Sequence, residues 1–124
     1  TEFVNDLSEK NAQVLQKVTA EADFPVRLVP AYIGLDGTMS RDAGAARVTS
    51  RAAANTDKLH FGLVKIVTDG SIQGFTARVR WPGYYNGHEN GIWIQPPAEL
   101  KATIAHFHAA GFQLHIHTNG DEAT

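Results

Sequence analysis

The chain has 124 residues and a mass of 13.5 kDa, with 11 basic and 13 acidic side chains, six histidines and no cysteine. A fold of this mass buries roughly two-thirds of the surface its unfolded chain exposes, enough for one hydrophobic core and not two. Without cysteine there is no disulfide scaffold, thiolate zinc site or thiol nucleophile, and a net charge of −2 argues against a phosphate-tracking surface and a nucleic-acid partner.

The opening TEFVNDLSEK is too polar for a signal peptide. No apolar run approaches the ~20 residues that a bilayer crossing needs. The expectation is a soluble, cytoplasmic chain with no membrane partner, and the start at Thr1 rather than Met suggests that something upstream was removed or never included. Over residues 6–22, Leu7, Val14, Leu15, Val18 and Ala22 recur at helical spacing, with Asp6 and Glu9 as cap and capping-box partner. Phe24-Pro25 stops this helix, and a β-rich run follows over 26–33, weakened by Pro30. After the loop 34–37, Ser40 can cap a second helix that runs to about Asn55 despite Gly44 inside it.

Residues 63–67, Leu-Val-Lys-Ile-Val, lie between Gly62 and Asp69-Gly70 and read as a strand buried on both faces, with a lysine in its middle. The stretch 70–95 has neither helical nor strand period and carries Phe75, Trp81, Tyr84, Tyr85 and Trp93. Pro96-Pro97 opens a third helix through Leu100, Ile104, Phe107 and Ala110, closed by Gly111 at C′. Residues 112–118 form the last predicted strand, and Asn119-Gly120-Asp121 turns away from it. Helices alternating with strands imply right-handed crossovers and a parallel sheet. A closed barrel needs ~250 residues, so the expected fold class is α/β, a partial (β/α)8 TIM barrel of about three strands. The whole chain, 1–124, reads as one segment from the middle of such a barrel.

In the last strand Phe112, Leu114 and Ile116 point one way while Gln113, His115 and His117 point the other. In a barrel the polar side faces inward, with His117 at the C-terminal end where barrel active sites lie. From the HxH pattern alone, two readings stand: half-buried histidines satisfied by backbone carbonyls, or a metal ligand. Lys65 occupies the corresponding side of its own strand. A buried ammonium must be paired, neutralised or used. It could pair with Asp69 or another acid, form a Schiff base, or take up carbon dioxide as a carbamate that bridges metals. His88 reads as a turn residue, Arg78 and Arg80 as solvated, and Asp121 as an ordinary helix cap. His60, His106 and His108 receive no chemistry.

The run 64–77, VKIVTDGSIQGFTA, followed by HIHTNGD at 115–121, resembles the metal-dependent amidohydrolase superfamily, and within it the amidohydrolase-3 branch that includes YtcJ-like proteins and N-substituted formamide deformylases. That branch shows VK-x-x-x-DGS-x-x-x-x-TA and then H-x-x-GD. The resemblance implies that His117 is the metal-ligating histidine of the fifth barrel strand and Lys65 the fourth-strand position that is carboxylated in some members. It places Asp69 and Ser71 in the loop leaving that strand, His115 beside the ligands without ligating, and Trp81 and Tyr84 in a loop at the mouth of the site. It implies a divalent metal, zinc by expectation, as one or two ions, and an amide-like small-molecule substrate cleaved at a carbon-nitrogen bond. The family's first-strand HxH, sixth-strand histidine and eighth-strand aspartate have no counterpart here, so no catalytic acid or base is assigned and the segment alone is expected to be inactive. The competing expectations are a Schiff-base lyase using Lys65 and a non-catalytic folding or interaction module. Open sheet edges imply self-association.

Overall fold

Proline has no N–H to give to a sheet ladder, and Pro30 divides the predicted first strand accordingly. In the computed structural model, which describes residues 9–34, 37 and 39–124, the run 26–33 contributes one bridge, Leu28 to Leu59, and then the short strand β1 (Ala31–Ile33). The preceding helix α1 (Glu9–Thr19) ends at Thr19, ahead of the predicted Ala22. Its last turn tightens, with Glu21 N–H donating to the Val18 carbonyl (3.3 Å) and the Thr19 hydroxyl donating to the Leu15 carbonyl (2.8 Å). Asp6, and with it the expected cap, lies outside the described residues.

Helix α2 (Arg41–Ala52) starts at the predicted cap, where Ser40 Oγ accepts from the Ala43 N–H (3.2 Å). It stops short of Asn55 because that side chain is committed elsewhere. Asn55 Oδ1 accepts from the Phe61 N–H (2.6 Å) and Asn55 Nδ2 donates to the Phe61 carbonyl (2.9 Å), tying the chain into the next strand. Gly44 inside α2 has a packing reason: a Cβ there would sit 3.2 Å from Tyr32 Oη and 3.3 Å from Phe107 Cζ.

Strand β2 (Leu63–Val67) coincides with the predicted run. Helix α3 (Pro97–Ala109) begins on Pro97 and ends before Gly111, whose φ of 84° supplies the left-handed C′ residue. Thr103 is buried on α3 beside Leu100 and Phe107; it accepts from Arg41 Nε (3.1 Å) and donates to Gln95 Oε1 (3.2 Å). Strand β3 (Gln113–His117) closes the series.

The sheet order is β1-β2-β3 with both pairings parallel. Tyr32, Val64, Ile66 and Leu114 pack on the helix side, against Val48 of α2 and Leu100, Ile104 and Phe107 of α3. Phe112, just ahead of β3, joins them, as its alternation predicts. Ile116 shares that side at 38% exposure, so the described residues do not cover it. Parallel strands joined through helices on one face form a partial (β/α)8 barrel. No helix among the described residues is long and apolar enough to cross a membrane.

Candidate metal centre

Register gathers the polar side chains. Leu63 faces Gln113, Lys65 faces His115 and Val67 faces His117 across the parallel ladder. Since side chains alternate with period two, Lys65, His115 and His117 all project from the face opposite the helices. His117 lies at the C-terminal end of its strand, and Lys65 is its diagonal neighbour.

Lys65 is only 7% exposed, and among the described residues it makes no ion pair. The pairing with Asp69 considered from sequence is absent, because the Asp69 carboxylate is used up elsewhere. Burial therefore pulls the Lys65 ammonium below the ordinary lysine range with nothing to offset it. His115 is pushed below the ordinary imidazole value, first by burial and then by the neighbouring charges of Lys65 and His117. Neutral imidazole and neutral amine are the forms that bind a cation or take up carbon dioxide.

Asp69 has become the hub of the loop ends. At 1% exposure, its Oδ2 accepts from the backbone N–H of Arg78 (2.9 Å) and of Gly120 (2.8 Å), while Oδ1 accepts from the Asn119 N–H (3.0 Å) and the Thr68 hydroxyl (3.2 Å). Burial alone would raise its pKa; the donors from Asn119, Arg78, Gly120 and Thr68 outweigh that and hold it below the ordinary carboxylate value. The Thr68 backbone N–H donates to the His117 carbonyl at 3.0 Å, and the single proton of the Thr68 hydroxyl is shared between that carbonyl oxygen, also at 3.0 Å, and Asp69 Oδ1, so the strand ends bearing Lys65 and His117 are fastened to one another. Close approach is part of this junction, since a Cβ on Gly120 would overlap the Arg78 carbonyl oxygen. The His117 ring itself meets Asn119, whose Nδ2 lies 2.9 Å from His117 Nε2 and 2.6 Å from the Gly70 carbonyl oxygen.

The loop 70–95 rises from the same C-terminal edge. Ser71 serves its own turn, with Oγ accepting from the Gly74 N–H (3.2 Å). Arg78, expected in solvent, is instead a half-buried brace: it donates to the Gly91 carbonyl (2.9 Å), pairs with Glu122 (2.9 Å) and stacks on Trp93 at 5.6 Å. Asp121, expected as a helix cap, accepts from the Arg80 N–H (2.9 Å). Tyr84 donates to the Ala77 carbonyl (2.9 Å) and meets Phe75 edge-on at 5.4 Å. His88 stacks on Phe75 at 4.6 Å. Trp81 is 94% exposed. His60 meets Asn55 and His106 meets Asp42, both away from the strand ends.

Among the described residues no three His, Cys, Asp or Glu side chains converge as a cation cage. The donors present fit a metal as far as they go: the His117 imidazole, with His115 beside it, shares one face with a buried amine that has no ion pair among the described residues, and the nearby carboxylate is already saturated.

A parallel α/β barrel segment bearing nitrogen donors toward the carboxyl ends of its strands is thus what fold and site define. The chain belongs to the amidohydrolase family, which its sequence matches over residues 3–124. It is similar in fold to the crystal structure of an uncharacterized metal-dependent hydrolase from Pyrococcus horikoshii OT3, with a TM-score of 0.68 at 20% identity. That likeness covers 97% of this chain and 23% of the other, so the chain spans about a quarter of that protein's length. No curated protein matches the sequence.

Proposed function

We propose that this chain is the middle portion of the catalytic barrel of a metal-dependent amidohydrolase acting on a carbon-nitrogen bond of an amide-like small molecule. The observation that carries the reading is a buried Lys65, without an ion pair among the described residues, sharing one sheet face with His115 and His117. Family membership and the similarity to a metal-dependent hydrolase support it.

In this reading His117 and Lys65 hold a divalent cation, with zinc as the expected metal and one or two ions bound. When bound, such an ion polarises a carbonyl and lets water ionise near neutral pH. The Lys65 amine adds to carbon dioxide, forming an N–C bond and releasing a proton, and the resulting carbamate offers two oxygens to metal. His115 lines the face beside them without ligating. Asp69 positions rather than ligates, because its oxygens already hold four donors. Trp81 and Tyr84, on the braced loop 70–95, shape access at the rim. The remaining donors and the proton-shuttling acid come from outside this segment, which alone is inactive and self-associates through the open edges of β1 and β3.

The test is the full-length protein with His117→Ala. Residues that merely orient metal ligands already account for ~10–100-fold in affinity or activity, so removal of a ligand is expected to lower both metal content and hydrolysis by at least ~100-fold. Retention of full activity refutes the assignment. The same desolvated amine also suits a Schiff base, and borohydride trapping of a carbonyl substrate on Lys65 would favour that alternative.

A further inference from the structure

The neighbours of His117 determine where its proton sits. The Gly70 carbonyl oxygen, 2.6 Å from Asn119 Nδ2, can only accept, which identifies that end of the amide as its NH2. The second N–H of the same nitrogen then points at His117 Nε2, 2.9 Å away. A ring nitrogen that accepts a hydrogen bond carries no proton, so the neutral imidazole bears its proton on Nδ1. Turning the amide over would set Oδ1 against the Gly70 oxygen. Nor can the residue drift, since its own N–H and that of Gly120 donate to the two oxygens of buried Asp69.

We infer that Asn119 is a positioning residue that latches His117, engaging the lone pair of Nε2 and keeping the proton on Nδ1. Neither nitrogen is then open to a cation: one is covered and the other is protonated. A cation can engage His117 only when the Asn119 amide lets go. This second half rests on the proposed metal-dependent reading; the latch itself does not. Asn119 stands at a variable position of the H-x-x-GD pattern, so the latch is a feature of this sequence and not of the motif.

Nitrogen-15 NMR of the metal-free protein decides the first half. The expected spectrum has an unprotonated His117 Nε2 and a protonated Nδ1, against the ordinary preference of free imidazole for the opposite form. Asn119→Asp, which can only accept, is expected to reverse it. A protonated Nε2 in the unaltered protein overturns the proposal without any variant. Titration with zinc alone decides the second half. Asn119→Ala is expected to bind zinc roughly two- to tenfold more tightly, the equivalent of one net hydrogen bond removed from competition; unchanged or weaker binding overturns the latch as a barrier. Zinc uptake indifferent to His117→Ala would instead sink the metal-dependent reading, with the nitrogen spectra still judging the latch.

Discussion

Replacing Asp69 by asparagine is expected to lower the melting temperature by roughly 10 °C, the equivalent of about 3 kcal/mol for a domain of this size. The carboxylate accepts from three backbone N–H groups and one hydroxyl while almost fully buried. An amide has one accepting oxygen. Its NH2 would face two of those donors and leave them unsatisfied in a site closed to water, at about 1–3 kcal/mol each. The disturbance would spread, because these bonds hold the ends of β2 and β3 and the start of the loop 70–95 together. Acid should act on the natural protein in the same direction. The folded pKa of Asp69 is depressed, so its contribution is complete above the unfolded carboxylate value of about 4 and is lost as pH falls through the folded one. Asp69→Asn should therefore flatten the acid limb of the stability-pH curve as well as lower it. Thermal melts of both proteins between pH 2 and pH 7, roughly the range over which carboxylates titrate, give the answer, and coincident curves would remove Asp69 from its place at the junction.

Much of this fold is legible in residue order. Period-two alternation in 112–118 separates Phe112 and Leu114 from His115 and His117, and the structure places the first pair on the helices and the second on the opposite face. The Leu63–Val67 strand and the Ser40 cap are local signals, and both appear as read. What sequence reasoning misses is long-range. Nothing near Asp69 announces that its donors lie at Arg78, Asn119 and Gly120, up to 51 residues away; a DG pair looks like a turn whether its carboxylate is buried or not. Arg78 reads as a solvated charge until the turn after β3 brings Glu122 to it and the fold of its own loop brings Trp93. The first strand fails for a local reason that outweighs composition: Pro30 removes a ladder donor, so β-branched neighbours cannot extend pairing through it. Asn119 was legible only as a turn residue, and its contact with His117 depends on the Asp69 anchor that holds its backbone.

Lys65→Met is the substitution for which stability and function should part. A buried ammonium without a carboxylate partner weakens the folded state, and an apolar side chain of similar length fills the same space between Ile33 and His115, its register neighbours on β1 and β3. The variant is expected to be more stable by about 1 kcal/mol or more, a rise of roughly 3–5 °C in melting temperature. On the proposed function it should at the same time lose at least ~100-fold in hydrolysis by the full-length protein, the minimum expected from groups that only orient ligands. It should also lose a carbamate carbon signal that the natural protein shows after exposure to 13C-labelled carbon dioxide. A residue retained at a cost to the fold is retained for its chemistry, and the two measurements separate that case from its opposite. If Lys65→Met melts lower than the natural protein and hydrolyses equally well, the lysine is a packing element with a hidden partner, and the amine has no part in the reaction.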